Sequence, residues 1–348
     1  MRNTSFRLPG HYYTGLAQIV AEHVPDLREF TTTTGLDIRA LDDPDSTITL
    51  TQLDCLIETA SAASGCMNLG LKVGQRARLT GHGLLGYALL SSSTLEELVR
   101  LAARYYHLIV PVVAMRYVRL GAFAEITFTP TVAMKNQTLR YFVEALAVAF
   151  QVHLDGILGP GNDDFEIHLS TDEPADVRRY LGSRFTRYRF GKRSTPGVTV
   201  VLAASLLDTP LPMANRRAKQ VAEARCEARA RTPVDADNVV ELIEMMLTES
   251  RNFQLTRQEV ATAMNVTVRT LNRYLGRRNE TFRGVCQRTR FTYACRLLDE
   301  RRLTVTQIAA KTGFSDVANF SRGFREYVGV CPTRYTATSA EPLRIDPA

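Results

Sequence analysis

Two stretches near the C-terminus decide the fold. The first runs Val260-Ala261-x-x-x-Asn265-Val266-Thr267-x-x-x-Leu271-x-Arg273. The second runs Ile308-Ala309-x-x-x-Gly313-Phe314-x-Asp316-x-x-x-Phe320-x-Arg322. They are offset by 48 residues before the turn and by 49 after it. Each reads as a helix, a tight turn and a second helix. Ala261 and Ala309 are small enough to let two helices cross closely. Asn265 and Gly313 tolerate the left-handed backbone of a tight turn. Val266 and Phe314 plug the angle, and Thr267 and Asp316 can cap the second helix. Leu271 and Phe320 anchor that helix inward, while Arg273 and Arg322, two residues on, point elsewhere. A short helix presented this way fits a DNA major groove.

The surroundings agree. Residues 251–340 carry 16 Lys and Arg against 6 Asp and Glu, a net +10, whereas residues 1–210 carry 20 against 21. A one-sided excess confined to one segment suggests a polyanionic partner, with nucleic acid the first candidate. From Asp235 onward the pattern is helical. Val239, Val240, Ile243, Met246 and Leu247 share a face, and Thr256-Arg-Gln-Glu259 has the form of a capping box. The predicted architecture is therefore an all-α C-terminal domain over residues 235–336, holding two tandem helix-turn-helix units joined by a long helix.

Further upstream both periodicities occur. Helices are expected over Gly10–Val24, Thr49–Ala63, Ser93–Tyr106 and Gln137–Leu158, the last stopped by Gly159-Pro160. Strands are expected at Val112–Leu120, Ala122–Thr129, Phe165–Leu169 and Val198–Leu202. Residues 1–210 thus read as an α+β domain. Prolines in Thr209-Pro-Leu-Pro212 mark its end. The Ala-, Arg- and Glu-rich stretch Ala214–Arg231 reads as a helix within a 211–234 linker. It can pair with a second copy of itself or stand as a solvated connector. Residues 337–348 form a tail.

The chain has 348 residues, 45% hydrophobic and 23% charged, which suits two globular domains. No apolar run approaches the roughly 18 residues of a membrane span. The N-terminus carries no apolar stretch of a secretory signal, so a cytoplasmic location is expected. The six cysteines show no C-x-x-C spacing and are expected to be scattered reduced thiols.

The C-terminal residues resemble a known family, the AraC/XylS transcription regulators. The resemblance covers about residues 235–335. It rests on Thr267-Val-Arg-Thr-Leu-Asn-Arg273, the linking Phe282-Arg-Gly-Val-Cys-Gln-Arg-Thr-Arg290 with Ala294 and Leu297-Leu298, and Ile308-Ala-Ala-Lys-Thr-Gly-Phe314. It continues through Asn319-Phe-Ser-Arg-Gly-Phe324 and Gly329-Val-Cys-Pro-Thr-Arg-Tyr335. The N-terminal half is similar to the ligand-sensing and dimerisation domain of the larger members, through Gly83-Leu-Leu-Gly-Tyr-Ala88, Thr94-Leu-Glu-Glu-Leu98, Arg104-Tyr-Tyr106 and Leu207-x-x-Pro-Leu-Pro212. Three departures stand out. Thr336 follows Tyr335 where the family usually has arginine, Asn265 replaces a frequent glycine, and Val317 and Ala318 stand where polar residues are common.

The resemblance implies a sequence-specific regulator, more often an activator, with double-stranded DNA, RNA polymerase and an unidentified small-molecule effector as partners. Its dimerisation domain leaves a homodimer possible, while the residues themselves point to no cofactor, no metal and no membrane. The resemblance turns Arg269, Asn272 and Arg273 of the first unit toward bases, where arginine can fork onto guanine and asparagine can pair with adenine. In the second unit Val317 and Ala318 can touch a thymine methyl, and Ser321 and Arg322 can reach a base or a phosphate. For each residue a phosphate or solvent contact stays open, because much of such an interface only positions the protein. Arg277, Arg278, Arg283, Arg288, Arg301, Arg302 and Lys311 read as non-specific attraction or solvated charge.

Rival readings are weaker. Gly81-His-Gly-Leu-Leu-Gly86 matches a dinucleotide fingerprint but lacks the preceding strand and the later acid. The six histidines show no metal-ligand spacing. An alkyl-transfer repair enzyme needs a zinc-bound cysteine cluster that Cys55 and Cys66 cannot supply. The basic run from Arg178 to Arg193 is either an anion site or a solvated face balanced by nearby acids. An architectural or weakly specific DNA binder with a degenerate sensing domain remains the main alternative.

Overall fold

The computed structural model describes residues 6–43, 45–66, 68–159, 164–175, 177–181, 187–191, 195–229, 239–250, 253–264 and 266–335. Two compact units form, with the main break between residues 234 and 235.

The first unit is α+β. Strand β1 (Arg7–Pro9) leads into helices α1 (Thr14–His23) and α2 (Leu27–Thr34). Asp26 caps α2 by accepting from the Arg28 and Glu29 amides, and Gly35 ends it at φ 64°. Strand β2 (Thr47–Thr49) pairs antiparallel with β1. Helix α3 (Leu50–Ser64) opens on a Thr49–Gln52 capping box. Then follow α4 (Leu69–Gly74), α5 (Gly83–Leu90) and α6 (Leu95–Tyr105), with Thr94 capping α6 through the Glu97 amide. The hairpin β3 (Val113–Leu120) and β4 (Phe123–Pro130) precedes the long helix α7 (Asn136–Leu158). Strand β5 (Phe165–Leu169), helix α8 (Val177–Leu181) and strands β6 (Tyr188–Phe190) and β7 (Val198–Ala203) complete a sheet of order β3-β4-β7-β5-β6. Among the described strands of this sheet, only β5 and β6 pair in parallel.

Helix α7 is the core of this unit. By length and composition alone it could cross a membrane. Instead it packs on α3, α4 and the sheet, burying Leu139, Phe142, Val143, Ala147 and Leu154. Its buried Glu144 accepts from Arg140 at 2.8 Å. Helix α4 lies against it because Gly70 and Gly74 carry no side chain. A Cβ at Gly70 would strike the Tyr141 carbonyl, and one at Gly74 would meet the Ala145 carbonyl at 2.7 Å.

Helix α9 (Arg216–Arg229), expected as part of a linker, packs within the first unit. It lies on α5 and buries Ala222 and Cys226. Lys219 pairs with Glu97, and Arg104 with Glu223 at 3.1 Å. The proline-marked segment before it is stitched to the start of α6: the Leu95 amide donates to the Thr209 carbonyl at 3.0 Å, and that of Leu211 to Ser93 at 3.1 Å. Proline forbids a helix here but permits this single bridge.

The second unit is all helical: α10 (Val239–Glu249), α11 (Arg257–Ala263), α12 (Val268–Arg277), α13 (Phe282–Asp299), α14 (Val305–Lys311) and α15 (Val317–Val328). It has two cores. The first gathers Val239, Leu242, Ile243 and Met246 with Val260, Leu271, Leu275 and Val285. The second gathers Phe291, Ala294 and Leu297 with Ile308, Ala309, Phe320 and Phe324. Helix α13 supplies Val285 to one and Phe291 to the other, so it joins the two lobes. Full burial of Phe320 and Phe324 contributes about 1.5–3 kcal/mol each. Asn265 and the tail 337–348 lie outside the described residues.

Candidate nucleic-acid interface

The two helix-turn-helix units repeat each other bond for bond. In the first, the Val266 amide donates to the Ala261 carbonyl at 2.9 Å; in the second, the Phe314 amide donates to Ala309 at 3.0 Å. Such a backward bond tightens a helix end and aims the chain into the next helix. Gly313 adopts φ 79°, the left-handed turn its sequence position suggested. Thr267 caps α12 by accepting from the Thr270 amide, and Asp316 caps α15 by accepting from that of Asn319. These bonds hold the Asp316 carboxyl below the usual carboxylate range. Helices α11 and α14 open on full capping boxes, Thr256–Glu259 and Thr304–Gln307.

With Leu271 and Leu275 turned inward, Arg269, Asn272 and Arg273 are left exposed on α12. With Phe320 and Phe324 turned inward, Ala318 and Arg322 are exposed on α15, and Ser321 is half-buried. Val317 is half-buried and packs against the second core, so only part of it is open to a base. Asn319, not singled out in the sequence, is also exposed and donates to Asp316. Of the structural positions, Ala261, Leu271, Ala309 and Phe320 are buried, and Phe314 stacks on Phe291 at 5.9 Å between ring centres.

Not every arginine in the basic segment is available. Arg288 is held by Glu280 at 2.6 Å and Glu244 at 3.2 Å. Arg290 donates to the Phe253 carbonyl and lies over the Phe314 ring at 5.3 Å. Arg273 and Arg288 are identical letters with opposite surroundings. Tyr335 stands edge-on to Phe324 at 5.7 Å, which anchors the C-terminal end despite Thr336.

The first unit holds a cavity of about 510 Å³. It opens between the turn at His11–Tyr13, the segment after α4, and helices α6 and α7. His11, His82 and His153, scattered in sequence, converge here. The rings of His82 and His153 are 5.3 Å apart, and His82 Nδ1 is hydrogen-bonded to the Tyr12 hydroxyl at 3.1 Å. Burial pushes His82 down to about 4, helped by neighbouring His11. Burial pushes His153 down to about 3, helped by His82 and Arg78. Both are neutral at pH 7. Among the described residues no group of three His, Cys, Asp or Glu is placed to hold a metal.

The glycine motif at residues 81–86 follows a helix rather than a strand, and a Cβ at Gly86 would strike the Leu79 carbonyl. Gly86 therefore serves packing, while Gly83 supplies a positive φ of 56°. In the basic run, Arg187 pairs with Asp155 at 3.2 Å and Arg189 with Glu166 at 2.7 Å. Arg184, Lys192 and Arg193 lie outside the described residues.

The family described as the arabinose-binding domain of AraC transcription regulator, N-terminal, matches residues 26–211. The chain belongs to the AraC family of transcription regulators. A helix-turn-helix domain family matches residues 260–338. The AraC-type chain is 26% identical over 339 residues to the ornithine utilization regulator of Pseudomonas aeruginosa, covering 95% of this chain and 97% of that one. It is 25% identical over 313 residues to an uncharacterised HTH-type transcriptional regulator of Mycobacterium tuberculosis, covering 87% and 88%. The crystal structure of the transcriptional regulator CdpR from Pseudomonas aeruginosa matches with a TM-score of 0.45 and 20% identity, over 93% of this chain and 97% of that one. Each of these relatives is named as a regulator. As an AraC-type regulator the protein binds DNA through its helix-turn-helix domain.

Proposed function

We propose that the protein is an effector-responsive, sequence-specific activator that inserts α12 and α15 into successive major grooves of double-stranded DNA. The carrying observation is the duplicated turn, which leaves Arg273 and Arg322 exposed at equivalent places on two capped helices. Arg269, Asn272, Ser321 and Ala318 would complete the base-facing set, and the other exposed arginines would set non-specific attraction. The cavity in the first unit would take the effector. Helix α9, joining the first unit to the second in sequence, is the natural transmitter. Its exposed Val221, which shares a groove with the exposed Tyr87 of α5, would suit contact with a second copy. RNA polymerase would be the partner of the DNA-bound form, in the cytoplasm. An effector acts only by binding one arrangement of the domains better than another.

Footprinting of the full-length protein on the DNA flanking its own gene tests this reading. A protected patch over about two adjacent major-groove turns, lost in the Arg273→Ala, Arg322→Ala double variant, is expected. Uniform weak protection equal in both proteins would leave a non-specific architectural binder instead.

A further inference from the structure

We infer that the cavity of the first unit is built for a small organic monocarboxylate with an apolar, ring-sized body. The inference rests on the effector role proposed above and names the chemical class of ligand.

The cavity has two ends. One is polar: the rings of His11, Tyr12, His82 and His153 follow one another at 4.1, 5.6 and 5.3 Å. The other is aromatic: Tyr106, Phe128 and Phe150 follow one another at 5.1 and 5.6 Å. Met115, Val99 and Ala102 extend that apolar wall. Its volume lies in the range that small ligands occupy.

The charge of the lining selects the head group. No Asp or Glu is among the residues that line the cavity, while Arg76 and Arg78 are. Neither arginine is paired with a carboxylate among the described residues, and Arg78 donates only to the Gln75 and Ala77 carbonyls. An ammonium group would meet two guanidinium charges and no counter-ion. A carboxylate would find Arg76 and Arg78 on the same cavity wall, and two buried imidazole atoms, His11 Nδ1 and His153 Nε2, that have no hydrogen-bond partner among the described residues. Leaving such atoms unpaired costs stability, which a ligand oxygen would restore. The remaining titratable groups facing the space, Tyr12, Tyr13, Tyr106 and Tyr141, are phenols held neutral by burial.

The imidazoles also give binding a pH signature. Burial disfavours the charged form of all three rings and keeps His82 and His153 neutral at pH 7. An adjacent carboxylate favours the protonated ring and raises its pKa. Binding therefore takes up protons, and affinity for the anion rises as pH falls.

The test is calorimetric titration of the full-length protein with 4-phenylbutyrate, 4-phenylbutanol and 4-phenylbutylamine, which share one skeleton. The carboxylate is expected to bind at least tenfold tighter than the amine and at least fivefold tighter than the alcohol. Its affinity should rise mainly as pH falls from about 7 towards 5, by less than about tenfold per unit, because burial holds the rings of His82 and His153 at about 4 and about 3 and an adjacent carboxylate raises them by about 1–3. The exposed double variant Arg76→Ala, Arg78→Ala should weaken the carboxylate at least tenfold and the alcohol less than twofold. His153→Leu should flatten the pH dependence. Equal affinities for the three compounds, preference for the amine, or no saturable binding of any would overturn the proposal. A carboxylate that binds yet leaves the DNA footprint unchanged would uphold the ligand class and sink the effector role instead.

Discussion

At the scale of single residues, burial and partners separate arginines that look alike in sequence. Arg273 and Arg322 are exposed on capped helices, whereas Arg288 bridges Glu280 and Glu244. Arg273→Ala is expected to cost about 1–3 kcal/mol of specific binding and to relax discrimination at one base pair. Competition footprints on point-mutated sites measure this, and unchanged affinity would remove the base-reading role. Arg288→Ala is expected to do the reverse. It should lower the unfolding free energy by roughly 1 kcal/mol, since its two ion pairs are partly exposed. Its effect on the salt dependence of DNA binding should be nil. The exposure of Arg273 was legible in sequence, because the Leu271 anchor two positions earlier sets the face. The engagement of Arg288 was not, since Glu244 is 44 residues away and on another helix.

At the scale of elements, local chemistry carries the second unit. The Thr256–Glu259 box forms as its spacing requires, with the Thr256 amide donating to Glu259 at 2.7 Å. Thr256→Ala should destabilise the first helix-turn-helix lobe by about 1 kcal/mol, read by chemical denaturation. In the first unit the decisive elements are short and were not visible in the pattern. Helix α4 spans six residues, too few to show a period, and exists by docking Gly70 and Gly74 on α7. Gly74→Leu should cost about 1–3 kcal/mol or more by overpacking. A thermal unfolding midpoint equal to that of the unchanged protein would contradict the close crossing. Strand β6, only three residues long, owes its place to pairing with β5 rather than to composition.

At the scale of the whole molecule, the basic charge belongs to the second unit and the cavity to the first. A chain of residues 232–348 should keep its footprint and lose any response to an effector, because each of its two cores is complete within the unit. Loss of the footprint with the fold retained would show that the first unit supplies affinity. If about six phosphates are neutralised, log affinity should fall against log salt with a slope near −5, at roughly −0.9 per phosphate. A flat dependence would contradict the electrostatic reading.

The sequence by itself determined the second unit. Its turns, caps and anchors are set by contacts within a few residues of each other, so a repeated pattern of small, capping and apolar residues suffices to specify them. The helix-turn-helix geometry and the exposed arginines followed from that local code, and the same motifs carried the resemblance to the family. Tertiary structure alone decided the rest. It brought His11, His82 and His153 together across 142 residues of chain. It drew α9 onto the first unit through Ala222, Cys226 and Lys219, and it withdrew Arg288 and Arg290 from the surface charge. These outcomes depend on which surfaces meet once the cores have formed, and no spacing along the chain encodes such meetings.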